Sequence, residues 1–508
     1  MMIKTSLTFF ILFLLAVSSS SCVFRLVNED TSKVEDLQGY GELTKFTFNE
    51  AWYGIYFQED KVGYSHFRIE PSGQDFIIYS DSLMRLTALK KTNEIKMNEK
   101  VLVRPDLTLL SFESSVIMNE KNLKVIGTNK NASLSIEMST AGEKIERTYP
   151  VEGALYHSSA ISLMPALKGL HQDAKNSFVV FNPEKQQMED VEQLVNKVSG
   201  NPGPNDAVWK VQNKFGSTVV NSWLNRKGLT VLEKALDGSL ITVLEDETLA
   251  KEFLNRKTQQ KDLILDLSLV KSPQIIKCPH SAKKLTALLS GVDPALFPQD
   301  HRQQVKVSHE VSPIKKFELT VSTENLDAYR ELAKKLPSDS NIVNVLPHGF
   351  TDELSSTLSI QSDHPLIVQR ANSIVTGSEQ DLEKIIQLVN WTSDNIRKTM
   401  RDSFSALEVL QVMEGECQSH ASLYAAMARA LKIPTRIVTG LVYTEGLGFL
   451  YHAWAESYVG NWLSVDPTLK QTPSDGTHIK IGHPSDVNQS ENLLKMVGKL
   501  KIESIDYH

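Results

Sequence analysis

Turn-forming residues recur about every ten residues from Pro71 to Glu143, and this spacing limits what the N-terminal half of the chain can fold into. The turn signals are Pro71-Ser72-Gly73, Pro105-Asp106, Asn119-Glu120, Asn129-Lys130-Asn131 and Gly142-Glu143. Just before them, Trp52 to Glu70 reads as a hairpin that turns near Asp60. Short strands at this spacing predict an antiparallel meander or a partly closed barrel.

Apolar alternation continues further along the chain. Strand patterns at 208–212, 219–223, 229–234 and 240–244, with a short helix at 245–255, complete a β-rich domain predicted over 42–260. The segments LILDLSLV, KKLTALLSG, QVKVSH and FELTVS then predict a smaller β domain over 261–364. Cys278 falls on one of these apolar stretches, so we expect a small core residue on a strand that stays inert until the protein unfolds.

The C-terminal third changes to a helical period. Leu382, Ile385, Ile386 and Val389 lie on one face of a helix that Ser378 is predicted to cap, and Ser405 with Glu408 forms a second capping box. Gly415 ends that short helix, and a third helix begins at Cys417 and stops before Pro434. Three strands follow at 435–443, 451–459 and 462–466, which is the pattern of an α+β domain.

Charge and cysteine content narrow the functional classes. A chain of 508 residues exceeds the size of one hydrophobic core, so we expect two or three domains. The net charge of −7 does not favour binding to nucleic acid. The three cysteines, Cys22, Cys278 and Cys417, match neither a zinc-ligand spacing nor a disulfide framework. We therefore predict no metal and no cofactor, and expect one cysteine to act as a thiol.

The first residues have the features of an export signal. Lys4 precedes the apolar run Leu7–Val17, which is too short to span a bilayer, and small serines lead to Cys22. This pattern resembles a bacterial lipoprotein signal over 1–21, with Cys22 as the lipidated residue and 22–41 as a tether. Ordinary cleavage after Ser18 is the alternative. Either way we expect an exported protein, and the lipoprotein form would be anchored to a membrane and face the periplasm or the cell surface.

Three residues near the C-terminus form a candidate catalytic set. The helix dipole and unpaired N–H groups at a helix start favour a thiolate at Cys417. The strands that follow carry His452 and Asp466, a base and a group to orient it. Each residue alone has a simpler explanation: a core cysteine, a hydrogen-bonded histidine and a turn aspartate. Their order and spacing together favour a nucleophile, a general base and an orienting carboxylate.

The stretch Phe404–Ile481 resembles the transglutaminase-like cysteine superfamily, in GECQSHASLYAAMARALKIPTRIV and YHAWAESYVGNWLSVDPT. The resemblance implies a papain/transglutaminase-like α+β domain over 365–482, followed by a tail at 483–508. It also implies that Cys417 is the nucleophile, His452 the general base and Asp466 the orienting group. DGTHIKI, Asp475–Ile481, resembles a stretch common in bacterial members, without an assigned role.

The resemblance implies an exported cysteine-dependent acyl-transfer enzyme that acts on amide bonds of a protein or peptide. A peptidase or amidase and a transglutaminase would share the same acyl-enzyme, and the alternative is a non-catalytic binding or scaffold lipoprotein at the cell surface. Glu416, beside Cys417, should partly oppose thiolate formation. We expect His420 to be structural or a wall of the site, and Trp454 either to line the cleft or to pack.

The triad also predicts a strand register. A two-residue loop at Gly460-Asn461 would place His452 and Asp466 on opposite faces of the sheet, because side chains alternate along a strand. A three-residue loop, Val459–Asn461, places both on one face, with Trp454 opposite Asp466. We expect this longer loop, with Asn461 in the left-handed region.

Overall fold

The computed structural model describes residues 35–508, except 256–268, 308–315, 335–349, 482–495 and several shorter segments. The shorter segments are 58, 89–90, 119–120, 141–142, 184–186, 199–203, 216–217, 236–237, 378–379, 400–402, 404 and 497. The predicted signal peptide, Cys22 and the predicted cap Ser378 lie outside the described residues. Tertiary contacts divide the chain into two compact units, one before the 256–268 segment and one after it.

The N-terminal unit consists almost entirely of strands. They are β1 (Leu37–Gln38), β2 (Glu50–Phe57), β3 (Asp60–Ser72), β4 (Asp75–Ala88), β5 (Lys91–Val103), β6 (Leu109–Met118), β7 (Lys121–Lys130), β8 (Ser133–Thr140), β9 (Glu143–Pro150), β10 (Leu155–His157), β11 (Gly169–Leu170), β12 (Ala174–Asn182), β13 (Gln187–Lys197), β14 (Trp209–Phe215), β15 (Thr218–Leu224), β16 (Thr230–Ala235) and β17 (Leu240–Glu245). Among the described residues of this unit, two short α-helices accompany the strands, α1 (Met164–Lys168) and α2 (Glu247–Lys251). The predicted hairpin, the later strands and the short helix are therefore all present.

Fifteen of these described strands form one sheet. Its order is β10-β12-β13-β14-β15-β16-β17-β2-β3-β4-β5-β6-β7-β8-β9, and β10 and β12 are parallel. Alternation explains why these segments are strands: β6 buries Phe112, Ser114, Val116 and Met118, while the residues between them are more exposed. β17 pairs with β2, so the strand of this sheet that comes last in the sequence lies next to the one that comes first. The predicted antiparallel meander is confirmed.

The C-terminal unit combines helices and strands. Its strands are β18 (Leu269–Val270), β19 (Lys284–Ser290), β20 (Gln303–Val307), β21 (Lys316–Ser322), β22 (Arg397–Lys398), β23 (Glu414–Gly415), β24 (Thr435–Thr444), β25 (Gly448–Tyr458), β26 (Trp462–Val465), β27 (Ile479–Lys480) and β28 (Lys501–Tyr507). Its helices are α3 (Leu326–Ala333), α4 (Thr351–Leu354), α5 (Pro365–Ile374), α6 (Asp381–Asn395), α7 (Ala406–Val412) and α8 (Cys417–Ala430). The α+β pattern predicted for this region is confirmed.

Two larger sheets organise this unit. One has the order β18-β25-β24-β27, with β26 also paired to β25, and the other has the order β20-β21-β19-β28. Strand β28 comes from the segment predicted as a tail, yet it pairs with β19. Tertiary contacts thus place 265–508 in one compact unit. The sequence predicts three segments for this region: a small β domain at 261–364, an α+β domain at 365–482 and a tail at 483–508. The helix caps follow the sequence more closely, since Ser405 accepts a hydrogen bond from the Glu408 N–H at 3.2 Å.

Helix α8 is the element that brings the cysteine to the sheet. Leu423, Tyr424 and Ala455 belong to one buried apolar cluster, and the Tyr424 hydroxyl bonds the Ser457 hydroxyl at 2.7 Å. Strand β24 returns along α8 after a short connection, and β25 is antiparallel to β24. Strand β25 therefore runs in the same direction as α8, and the helix start lies toward the part of β25 that carries His452.

The prediction for Cys278 is wrong. This cysteine is exposed, and it lies outside any strand, with φ 48° and ψ 59°, just before the 3₁₀ turn Pro279–Ser281. The apolar strand begins later, at Lys284. Pro279 explains the difference, because it lacks an N–H to donate to a sheet and favours a turn.

In the described part of the chain, no helix is both long and apolar enough to cross a membrane.

Candidate active site

Cys417 is the first residue of α8, as predicted, and its side chain is buried. Glu416 caps the helix, since its carboxylate accepts the N–H groups of Gln418 at 2.9 Å and Ser419 at 3.0 Å. The same carboxylate lies 3.2 Å from the Cys417 sulfur and accepts a hydrogen bond from the thiol. A bond of this kind favours the neutral thiol, which is the opposing effect that the sequence predicts for Glu416.

His452 and Asp466 are in direct contact. The Nε2 atom of His452 lies 2.7 Å from Oδ2 of Asp466, and both side chains are buried. The other carboxylate oxygen accepts the N–H groups of Thr468 at 2.7 Å and Leu469 at 2.9 Å. The turn that begins at Asp466 thus holds its carboxylate toward the histidine. Because Nε2 is bonded to Asp466, Nδ1 is the ring nitrogen available to take a proton from a thiol.

Strand register accounts for this contact. Tyr458 pairs with Trp462 and Ala455 with Val465, so the loop contains three residues, Val459 to Asn461. The register predicted from the chemistry is therefore confirmed. One detail is wrong: Gly460, with φ 88°, takes the left-handed conformation instead of Asn461. Glycine adopts a positive φ without steric cost, so it is the better residue for this position.

His478 is a second histidine on the same carboxylate, and sequence reasoning missed it. Its Nε2 lies 3.0 Å from Asp466 Oδ2, and its Nδ1 lies 3.1 Å from Asp475 Oδ1. Burial acts to lower the pKa of His478, but the Asp475 charge and the hydrogen bonds to both carboxylates outweigh it and raise the pKa to about 9. The only signal was the stretch Asp475–Ile481, which resembled bacterial relatives but had no assigned role.

Asp475 is itself firmly held. Its Oδ1 accepts the N–H of Thr477 at 2.8 Å and the Thr477 hydroxyl at 2.6 Å, and its Oδ2 accepts from Gln471 at 2.7 Å. Burial acts to raise the pKa of Asp475, yet the positive charge of His478 and hydrogen bonds from His280, His478 and Thr477 hold it well below its usual range. Asp475, His478, Asp466 and His452 therefore form a continuous row of hydrogen-bonded side chains.

The sequence leaves undecided whether Trp454 and His420 line the site or only support the fold. Both side chains are buried in the interior. Trp454 is fully buried, donates to the Ser464 hydroxyl at 3.0 Å and stacks beside His452 with 6.2 Å between ring centroids. His420 bonds the backbone carbonyls of Glu416 at 2.8 Å and Ile396 at 3.2 Å. Burial is the main cause that lowers the pKa of His420, and it is opposed first by these two hydrogen bonds and then by the Asp466 charge. We read both residues as structural.

Three described side chains offer ligand atoms close enough for a metal ion. They are His452, Asp466 and His478, whose ligand atoms lie within 4.8 Å of one another. The contacts of 2.7 and 3.0 Å are those of hydrogen bonds to one carboxylate oxygen. Both ring nitrogens of His478 face carboxylate oxygens, which accept hydrogen bonds, so in this arrangement both nitrogens donate and neither offers a lone pair. We therefore describe the contacts among Asp475, His478, Asp466 and His452 as hydrogen bonds.

Comparison with known proteins supports the assignment of this region. Residues 368–467 match the family model for the transglutaminase-like superfamily, so this part of the chain is a transglutaminase-like domain. The match spans Cys417, His452 and Asp466 but ends before Asp475 and His478. A search of curated proteins found no match.

Several solved structures are distantly similar. A candidate cysteine protease from Cytophaga hutchinsonii is 18% identical, with 45% of this chain and 88% of that chain covered and a TM-score of 0.29. A β-barrel-like protein of unknown function from Brucella abortus is 11% identical over 39% of this chain and 95% of that one, with a TM-score of 0.30. A candidate protease from Parabacteroides distasonis is 11% identical, with 75% and 64% covered and a TM-score of 0.19. Likenesses this weak transfer no function to this chain.

Proposed function

We propose that this protein is an exported, cysteine-dependent acyl-transfer enzyme that acts on amide bonds through Cys417, His452 and Asp466. The observation that carries the proposal is the 2.7 Å contact between His452 and Asp466 in a transglutaminase-like domain. Helix α8 packs on the strand that carries His452 and begins at Cys417. A nucleophile, a base and an orienting group are the parts that covalent acyl transfer needs.

In the first step, Nδ1 of His452 takes the proton of the Cys417 thiol. The sulfur then attacks the carbonyl carbon of an amide, a carbon–sulfur bond forms, and the carbonyl electrons move onto oxygen. When the tetrahedral intermediate collapses, the carbon–nitrogen bond breaks and the amine leaves with the proton held by His452. Asp466 stabilises the imidazolium in the interval, because its carboxylate accepts the Nε2–H.

The second step decides the class of enzyme. Water attack on the thioester gives a carboxylic acid and returns the proton to sulfur, which is hydrolysis. Attack by a second amine gives a new amide, which is transglutamination. Both use the same side chains, and the difference lies in access of water and acceptor to the thioester.

We also propose export and attachment to a membrane through a lipid on Cys22. The support is the sequence alone: a basic residue, an apolar segment and a small-residue stretch that ends at Cys22. The substrate would then be a protein or peptide at the cell surface or in the periplasm.

The decisive experiment is site-mapped alkylation with iodoacetamide across a range of pH. The background should be Cys278→Ser, because Cys278 is exposed and would label in the folded protein. We expect Cys417 to react below the pH of an ordinary thiol, whose pKa is about 8.5. Labelling of Cys417 only in denaturant would rule out the enzyme and favour a non-catalytic scaffold.

A pair of assays would separate the two enzyme classes. Release of a fluorescent amine from a peptide library measures hydrolysis, and incorporation of a fluorescent amine into an unfolded protein measures transfer. Both signals should disappear in Cys417→Ala. Failure of both assays with a reactive Cys417 would point to a narrower substrate.

A further inference from the structure

We propose that His478 is a positioning residue of this active site. It bridges the carboxylates of Asp475 and Asp466, and through Asp466 it sets the orientation and the charge balance of the His452–Cys417 pair. The inference rests on the function proposed above, since it concerns the same site. It adds a second histidine–carboxylate pair, outside the residues matched by the family model.

The first argument is orientation. Asp466 receives four hydrogen bonds: two backbone N–H groups on Oδ1, and His452 and His478 on Oδ2. Oδ2 is placed between the two imidazoles, so loss of His478 would remove one of the contacts that stop the carboxylate from turning. Asp475 in turn holds His478 through Nδ1 at 3.1 Å. Outer partners of this kind fix the direction of the group that they contact.

The second argument is charge. Asp475, His478 and Asp466 are each at most 3% exposed. With His478 protonated between two carboxylates, the three groups carry one net negative charge, which the His452 imidazolium formed during catalysis would neutralise. Without the proton on His478, two buried carboxylates would face one imidazolium, and buried unpaired charge is costly.

Other charged or titratable groups lie around this row. His280 reaches Asp475 Oδ2 at 3.4 Å from the exposed side, and Arg302 binds the backbone carbonyls of Ser474 and Asp475 while paired with Glu324. Lys480 is directed to Glu456 and Asp300. On the helix side are Glu416, Cys417 and His420, and Lys398 acts on His420. The hydrogen-bond partners of His478 are the two aspartates, its ring packs edge-on against His452 and Trp454, and its charge acts on His280.

The test is the pH profile of Cys417 alkylation in the Cys278→Ser background. His478→Gln removes a positive charge next to Asp466, so the alkylation midpoint should move to higher pH, by less than the roughly 1–3 units that a charge in direct contact with the thiol would produce. The double variant His478→Gln/Asp475→Asn restores one net negative charge, and its midpoint should return toward that of the parent. The matched control His280→Gln removes an exposed histidine from the outer oxygen of Asp475 and should shift the midpoint less.

A purely structural role gives a different result. The double variant would then be at least as impaired as His478→Gln, and the midpoint would not move even where the rate falls. That result overturns the inference. Should His478→Gln fail to fold, the double variant still decides, because it leaves no additional uncompensated charge.

A second readout does not depend on activity. In Cys417→Ala labelled with ¹⁵N-histidine, both ring nitrogens of His478 should carry protons at pH 7, with the resonance assigned by its loss in the double variant. A neutral His478 at pH 7 overturns the inference. An unreactive Cys417 in the parent, with a protonated His478, would instead refute the proposed function and leave the bridging role standing.

Discussion

His452 Nε2 lies 2.7 Å from Asp466 Oδ2, although 14 residues separate them in the sequence. The carboxylate fixes which nitrogen of the imidazole carries the proton, and the opposite nitrogen is thereby the one that can act as a base. The contact exists because β25 and β26 pair through a three-residue loop, Val459 to Asn461.

Asp466→Asn should reduce turnover by about 10⁴-fold, the size of the effect at the orienting aspartate of serine proteases. The asparagine amide has one oxygen, so it can accept only the hydrogen bonds that one of the two carboxylate oxygens of Asp466 accepts now. If its NH₂ group faces the two imidazoles, it favours the tautomer of His452 that lacks a proton on Nε2. Steady-state kinetics would show whether kcat falls. Retention of more than about a tenth of the activity would contradict the orienting role.

Glu416→Gln should make Cys417 reactive at lower pH. The amide oxygen can still accept the N–H group of Ser419, while the NH₂ group replaces the oxygen beside sulfur, so half of the cap is kept and the negative charge is removed. Glu416→Ala is the comparison: it removes the charge and the cap together, so it should also destabilise the protein by about 1 kcal/mol. Alkylation across pH and thermal unfolding measure the two effects separately.

Cys417→Ala should abolish turnover with little effect on folding. The sulfur contacts the cap of α8, and its removal leaves the apolar face of that helix intact. We expect less than the roughly 2–5 kcal/mol of a large core truncation. An unfolding temperature far below that of wild type would show that Cys417 is a packing residue.

His478 should make stability depend on pH in the alkaline range. Its pKa is raised from 6.5 to about 9, so the stability it contributes is fully present below pH 6.5 and is lost as the pH rises through about 9. The difference in unfolding temperature between wild type and His478→Gln should therefore shrink between pH 6.5 and 10. A constant difference over that range would argue against a protonated His478.

Attachment to membranes should depend on Cys22. Wild type expressed in a bacterium should sediment with membranes, whereas Cys22→Ala should be found in the soluble fraction or remain unprocessed. One acyl chain binds a membrane only weakly, but a multiply acylated N-terminus binds firmly. A mature N-terminus at Ser19 would establish ordinary secretion instead.

The sequence by itself determined the features that depend on neighbours along the chain. The turns at regular intervals produced the meander, the Ser405 box capped α7, and Gly415 and Pro434 bracketed α8. It also predicted Cys417, His452 and Asp466 as a candidate catalytic set from their order and spacing, and the structure brings His452 and Asp466 into contact.

Tertiary structure decided what depends on residues that are distant in sequence or on the environment around a side chain. Cys278 looked like a core residue, but Pro279 turned the chain and left the thiol exposed. The tail strand β28 pairs with β19, more than 200 residues earlier, and local periodicity contains no information about such a partner. His478 becomes part of the site only when the fold buries it between Asp475 and Asp466, because a hydrogen bond needs atoms within about 3 Å and sequence spacing does not specify that distance.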